Sequence, residues 1–246
     1  MSEWFKDWFA SDQYLNVYKH RDEKDAQKLL DLISKTIPLT KENLILDAAC
    51  GTGRYTNLLL RNGHKAIGFD LSLPLLKVAL QMSSNITGDS NYFRSDIRFV
   101  PLKKKFDVIL NVFTSFGYFE TDQENFSFIK NSINYLNKDG YFVFDYLNKD
   151  HVIQTLVPST EKIIDGYEII ENRRIEKDRV IKEIEIKTDE GTNKFVESVK
   201  LYSHLTIEEE FSKSGYKMLK FYGDYEGNQF DRDSSPRVIM IFQNEN

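Results

Sequence analysis

Three features of the sequence predict an α/β fold built on a mainly parallel, doubly wound sheet. The stretch 44–53, L-I-L-D-A-A-C-G-T-G, is a short apolar run closed by an acid and followed by small residues and two glycines. Strand-like and helix-like segments then alternate as far as residue 147, the pattern of a sheet with crossover helices. From about residue 161 the pattern changes to alternating β-branched and charged residues, which predicts an inserted three-stranded antiparallel sheet.

Leu44, Ile45 and Leu46 form an apolar run without alternation, as in a parallel strand buried on both faces. Ala48, Ala49, Cys50, Gly51, Thr52 and Gly53 are small, so a ligand can approach the backbone closely. R-Y-T-N-L-L-L-R-N-G then reads as a short helix with Gly63 just past its end. Asp70 closes the second strand, K-A-I-G-F-D, seventeen positions beyond Gly53, a spacing that suits the two hydroxyls of a ribose. The third glycine of G-x-G-x-x-G is absent, and Asp47 stands at the mouth of the loop. A pyrophosphate is repelled by that acid, whereas an ammonium or sulfonium cation is favoured.

These residues resemble the first motif of the class I S-adenosylmethionine (SAM)-dependent methyltransferases, which reads much like L-D-A-A-C-G-T-G. The resemblance implies a Rossmann-like sheet of seven strands and SAM as cofactor. It implies Asp47, Ala49, Cys50, Gly51 and Gly53 around the methionine and ribose, and Asp70 and Leu71 at the ribose. Asp96 closes the third strand, N-Y-F-R-S-D. In these enzymes such an acid and the following amide, here Ile97, read the adenine.

The 41% hydrophobic and 29% charged composition is ordinary for a globular chain. No apolar run approaches the ~20 residues needed to cross a bilayer. The first residues carry acids and no secretory pattern, and Cys50 is the single cysteine, which leaves no internal disulfide or cysteine metal cluster. The expected location is the cytoplasm. A net charge of −5 and a pI near 5.5 argue against nucleic acid as a partner. No metal-ligand cluster is evident among the four histidines.

In chain order, residues 1–20 interleave Trp, Phe and Tyr with charges and read as an amphipathic arm. Y-L-N-V-Y-K-H-R-D resembles the arm of one bacterial methyltransferase group. In such relatives the arm closes over SAM, which implies contacts from Tyr14, Tyr18 or Arg21. Asp22 caps a helix carrying Ala26, Leu29, Leu30 and Ile33, and Pro38 ends it. Ser72 and Pro74 open the next helix. F-D-V-I-L-N-V-F is the fourth strand, and the resemblance sets Asn111 and Phe113 at the cofactor and Tyr118 near the transferred methyl. N-V-F-T replaces the D/N-P-P-Y type motif of base methylators. T-S-F-G-Y-F resembles small-molecule N-methyltransferases, including sugar amine enzymes. A helix from Asp122 through Leu136 and a fifth strand, Y-F-V-F-D-Y-L, follow.

The expected division is an arm and SAM-binding core over 1–160, an inserted β lid over 161–202, and a last helix with a final hairpin over 203–246. The lid follows the fifth strand and is expected over the strand C-termini; its other use is as the contact of a homodimer. His151, shortly after the fifth strand, and His204, at the return from the lid, join Tyr118 as candidates to take a proton from an amine or hydroxyl acceptor. The expected activity is transfer of a methyl group to nitrogen or oxygen of a small molecule. An RNA or protein acceptor, or SAM binding without catalysis, are the alternatives.

Overall fold

In the computed structural model, residues 3–18, 23–86, 92–189 and 191–245 are described. The arm consists of two short helices, α1 (Trp4–Ala10) and α2 (Asp12–Val17), and α3 (Glu23–Thr36) leads into the core. The core continues β1 (Leu44–Ala48), α4 (Arg54–Arg61), β2 (Lys65–Asp70), α5 (Leu73–Ser83), β3 (Tyr92–Arg94) and β4 (Phe106–Asn111). Helices α6 (Asp122–Asn125) and α7 (Ser127–Ser132) precede β5 (Leu136–Leu147) and α8 (Lys149–Thr155). The second sheet holds β6 (Ser159–Ile164), β7 (Tyr167–Glu176), β8 (Arg179–Thr188) and β9 (Gly191–Lys200). The chain closes with α9 (His204–Lys213), β10 (Tyr216–Tyr222) and β11 (Arg237–Asn244).

The main sheet has seven strands in the order β10-β11-β5-β4-β1-β2-β3, and β11 runs antiparallel to both its neighbours. The chain winds outward from β1 to β3 and returns to β4, so the topological switch lies between β1 and β4, where such sheets bind ligands. One face of the sheet packs Phe106, Phe142, Phe144 and Phe242 against α7 and α9; the Phe211 and Phe242 rings stack at 3.9 Å. The other packs Ile45, Val108, Val143 and Ile241 against α3 and α4. Burial on both faces is why these strands read as continuous apolar runs. Among the described residues no helix is long and apolar enough to cross a membrane.

Two expectations change. The inserted sheet has four strands over 159–200, not three over 161–202. The extra strand, β6, is an edge strand whose Ser, Thr, Glu and Lys alternate between half-buried and exposed, so its apolar signal is confined to Ile163 and Ile164. The helix expected from Asp122 to Leu136 is broken at Phe126 and ends at Ser132; Leu136 pairs with Phe106 as the first residue of β5. Asp22, the expected cap of α3, lies outside the described residues.

The second sheet is fastened at one end and packed at the other. Buried Arg179 donates to the carbonyls of Gly117, Tyr118 and Phe119 at 3.1–3.2 Å and to Ser198 Oγ at 2.8 Å. Lys200 N donates to Gly117 O at 2.8 Å, and the Tyr146 hydroxyl donates to Lys200 O. At the far end, Ile169, Ile184 and Ile186 enclose Trp8 and Val17 of the arm.

Candidate active site

A cavity of about 1040 Å³ opens at the C-terminal ends of β1, β2 and β4. Its floor is the loop after β1. Ala49 and Gly51 adopt φ of 57° and 56°, and a Cβ built on Gly51 meets nothing nearer than Leu75 Cδ1 at 4.0 Å. The space that side chain would fill belongs to the cavity, so the glycine leaves a cradle for a ligand.

Asp47 and Asp70 shape this floor differently. Asp47 is fully buried; its Oδ2 accepts from Thr56 N at 3.1 Å and Thr56 Oγ1 at 2.7 Å, which ties β1 to α4. Burial outweighs those bonds, and its pKa is raised to about 6. Asp70 accepts from Gly51 N and Ser72 N, both at 2.8 Å, and each oxygen keeps a lone pair for a ligand hydroxyl. Burial also raises its pKa. Asp96 lies further along the same wall with Ile97. Burial alone would raise the Asp96 pKa, but the hydrogen bonds and charge of Arg98 outweigh it and hold it below the ordinary range. Arg98 also pairs with Glu3, which anchors the arm beside this wall.

Asn111 donates to Ala48 O at 3.2 Å and to Ser115 O at 3.4 Å, joining β1 to the turn after β4. In that turn Phe113 and Thr114 have φ of 60° and 65°, a costly conformation for such residues that Asp145 holds in place. Its carboxylate accepts from Phe113 N at 2.8 Å and its carbonyl from Thr114 N at 3.1 Å. The remaining walls are Trp4, Phe5, Phe9, Tyr14 and Tyr18 of the arm, with Arg173, Val180, Lys182, Glu197 and Val199 of the second sheet.

Of the residues expected at the cofactor, Tyr18, Asp47, Ala49, Cys50, Gly51, Asp70, Leu71, Asp96, Ile97, Asn111 and Phe113 line this cavity. Arg21 lies outside the described residues. Gly53 does not line the cavity. A Cβ there would meet Tyr92 Cζ at 2.8 Å and Ala79 Cβ at 2.9 Å, so glycine is needed for packing at the start of α4. Tyr118 lines the cavity with its ring against Trp4, Phe5 and Phe9. His151 is on α8 and His204 opens α9 against Phe221 and Phe230; neither reaches the cavity. Both follow the sheet edge in sequence, but the helices they sit on carry them away from it.

Sequence reasoning missed Tyr55, Arg237 and the inward charges of the second sheet. Lys182 shares a face with Ile184 and Ile186, and this one cation within an apolar alternation was the available signal. It pairs with Glu197 at 2.6 Å across β8 and β9.

Residues 45–140 match the family model described as a methyltransferase domain. A dTDP-3-amino-3,4,6-trideoxy-alpha-D-glucopyranose N,N-dimethyltransferase of Streptomyces venezuelae is 26% identical over 121 residues, 49% of this chain and 48% of that protein. The putative methyltransferase YqeM of Bacillus subtilis is 27% identical over 123 residues, 50% and 49% of the two chains. The chain thus spans about half the length of the curated relatives it matches. Among solved structures, a SAM-dependent methyltransferase from Clostridium acetobutylicum superposes with a TM-score of 0.83 at 21% identity, over 96% of this chain and 99% of that one. The SAM-bound amino pentose methyltransferase CalS10 from Micromonospora echinaspora gives 0.71 at 15% identity, over 95% and 97%. Residues 45–140 thus match a methyltransferase domain model, and the chain as a whole shares the fold of solved SAM-dependent methyltransferases.

Proposed function

We propose that the protein transfers a methyl group from SAM to nitrogen or oxygen of a small-molecule acceptor. The observation that carries this reading is the continuity of the cavity. One wall, from Asp47 to Ile97, offers a glycine cradle and a ribose-type carboxylate, and it leads without a break to an aromatic and charged wall. A volume of about 1040 Å³ is at the upper end of small-molecule sites, with room for a cofactor and an acceptor together.

SAM supplies an electrophilic methyl group on a sulfonium when bound. The cradle at Gly51 and the carboxylate of Asp70 fit its ribose and methionine, and Asp96 with the Ile97 amide fits its adenine. The protein's own work is then placement: Asn111 and Asp145 fix the turn 113–118, whose Thr114, Ser115 and Tyr118 face the acceptor. Holding the acceptor atom close and aligned supplies most of the acceleration in such a displacement. The aromatic arm excludes water. With both histidines outside the cavity, Tyr118 is the remaining proton acceptor of the three first considered. Residues before 120 hold the cofactor and the sheet 159–200 selects the acceptor, since Arg173, Val180, Lys182, Glu197 and Val199 face the acceptor side. The sugar N-methyltransferases among the relatives make an amine the first acceptor to try.

The test is incubation with SAM and a panel of amino and hydroxyl compounds, amino sugar nucleotides first, with S-adenosylhomocysteine measured. Acceptor-dependent formation of the product supports the reading. Tight cofactor binding with no turnover on any acceptor favours a binding protein instead, and turnover only on RNA or protein favours the macromolecular alternative.

A further inference from the structure

Two buried donor atoms on the cavity wall make no aligned hydrogen bond. Tyr55, from the first turn of α4, is 4% exposed, lines the cavity, and its hydroxyl makes no hydrogen bond. Arg237, the first residue of β11, lines the same cavity. Its Nε donates to Asp145 Oδ1 at 2.8 Å. Its Nη2 lies 2.7 Å from that same oxygen but is not aligned with it, so the Nη2 hydrogens remain unbonded. A buried donor left unpaired loses its hydration without compensation, and native proteins keep few of them.

The Asp145 carboxylate beside Arg237 is already engaged through both oxygens. Its Oδ2 already accepts from Phe113 N at 2.8 Å and from the Tyr225 hydroxyl at 2.9 Å. Its Oδ1 is held by Arg237 Nε. The guanidinium of Arg54 lies 5.1 Å from the Tyr55 ring centre and 4.4 Å from that of Phe113. Asp145 thus carries three hydrogen bonds and an ion pair with Arg237, and the other acid that bears on Tyr55, Asp47, is engaged by Thr56. Burial raises the Tyr55 pKa, so the phenol stays a donor across the working range.

An arginine N–H and a phenol O–H can be paired only by acceptor oxygens, and the fork of a carboxylate matches a guanidinium edge. We propose that Tyr55 Oη and Arg237 Nη2 form an oxyanion subsite that takes the carboxylate of a ligand bound in this cavity. The subsite rests on the proposed function for its occupant. One source is the α-carboxylate of the cofactor's methionine; the other is a carboxylate on the acceptor, which would lie on the β5 and β11 side, away from Asp70.

Tyr55→Phe is the discriminating variant. It removes only an unpaired hydroxyl, so its melting temperature should equal or exceed that of the parent, whereas loss of a structural hydrogen bond would lower it. Calorimetry compares S-adenosylhomocysteine with methylthioadenosine, which lacks the amino-acid tail, on both proteins. If the cofactor supplies the carboxylate, Tyr55→Phe weakens S-adenosylhomocysteine five- to twenty-fold and leaves methylthioadenosine unchanged. If the acceptor supplies it, both affinities are unchanged, and acetate at constant ionic strength raises the melting temperature of the S-adenosylhomocysteine-loaded parent above chloride, but not that of the variant. Equal responses of parent and variant in both arms overturn the subsite. A parent that binds no S-adenosylhomocysteine defeats the SAM reading instead, and the acetate arm on unloaded protein then still decides the subsite.

Discussion

The Trp8 indole N–H donates to the Glu197 carboxylate at 2.7 Å, joining the arm to the second sheet across 189 positions of sequence. The same carboxylate accepts from the Tyr18 hydroxyl at 2.5 Å and pairs with Lys182, whose ammonium also reaches Tyr18. Arm and sheet therefore close over the cavity as one unit. Trp8→Phe keeps most of the ring packing and removes the N–H. The expected loss is about 1.5 kcal/mol, the low end for a hydrogen bond to a charged group, because Glu197 keeps two partners. Denaturant unfolding measures it, and hydrogen exchange should show faster exchange in α1 and β9 together. Faster exchange in α1 alone would mean the clasp does not couple them.

Arg179 is the corresponding fastening between the second sheet and the turn after β4. Arg179→Ala removes five hydrogen bonds from a buried guanidinium, three of them to the carbonyls of residues 117–119. Stability should fall by about 1.5–3 kcal/mol or more. Protease cleavage should begin in 114–119 and 177–200 at the same rate. A variant as resistant as the parent would show that the sheet is held by the arm alone.

Gly53 and Gly51 should fail differently. At Gly53 a Cβ collides with Tyr92 and Ala79 and the φ is 70°, so Gly53→Ala should destabilise the fold by about 2–4 kcal/mol. Thermal melting reads this directly. A melting temperature unchanged in Gly53→Ala would return the residue to a purely ligand-facing role.

Asp47 gives a pH dependence of defined sign. Its carboxyl titrates near 6 in the folded chain against 3.8 unfolded, because burial disfavours the charge. The unfolded chain releases this proton first, so stability from this group is complete below pH 3.8 and is lost as pH rises towards 6, by about 3 kcal/mol in all. Asp47→Asn removes the loss and keeps an acceptor for Thr56. The difference in unfolding free energy between variant and parent should therefore grow in the variant's favour between pH 4 and 6 and level off above. A difference that does not change with pH would contradict the raised pKa.

Local motifs were legible because strand, turn and acid follow one another in the chain. Asp47, Gly51, Asp70 and Asp96 sit at the ends of consecutive strands, and the topology of a doubly wound sheet brings strand ends to one edge. The acceptor wall was not legible in the same way. Which residues of β7, β8 and β9 face inward depends on hairpin register, where a slip of one residue exchanges the faces. Ile184 and Ile186 share the inward face, and Lys182 stands on it with them. Arg237 and Tyr55 meet only because β11 inserts beside β5, a pairing no local pattern announces. His151 and His204 were close to the edge in sequence, but distance along the chain does not say where a helix carries a side chain.

The central claim is that the cradle after β1 holds the cofactor, and calorimetric titration with S-adenosylhomocysteine tests it most directly. The parent should bind one equivalent and show no heat with nicotinamide cofactors, and Asp70→Ala should lose roughly 1.5–3 kcal/mol of affinity. Gly51→Val puts its side chain into the cradle and should lose binding; because its φ of 56° strains a β-branched residue, circular dichroism checks the fold of the variant alongside. Unchanged affinity in a folded Gly51→Val, or no binding by the parent, would contradict the account.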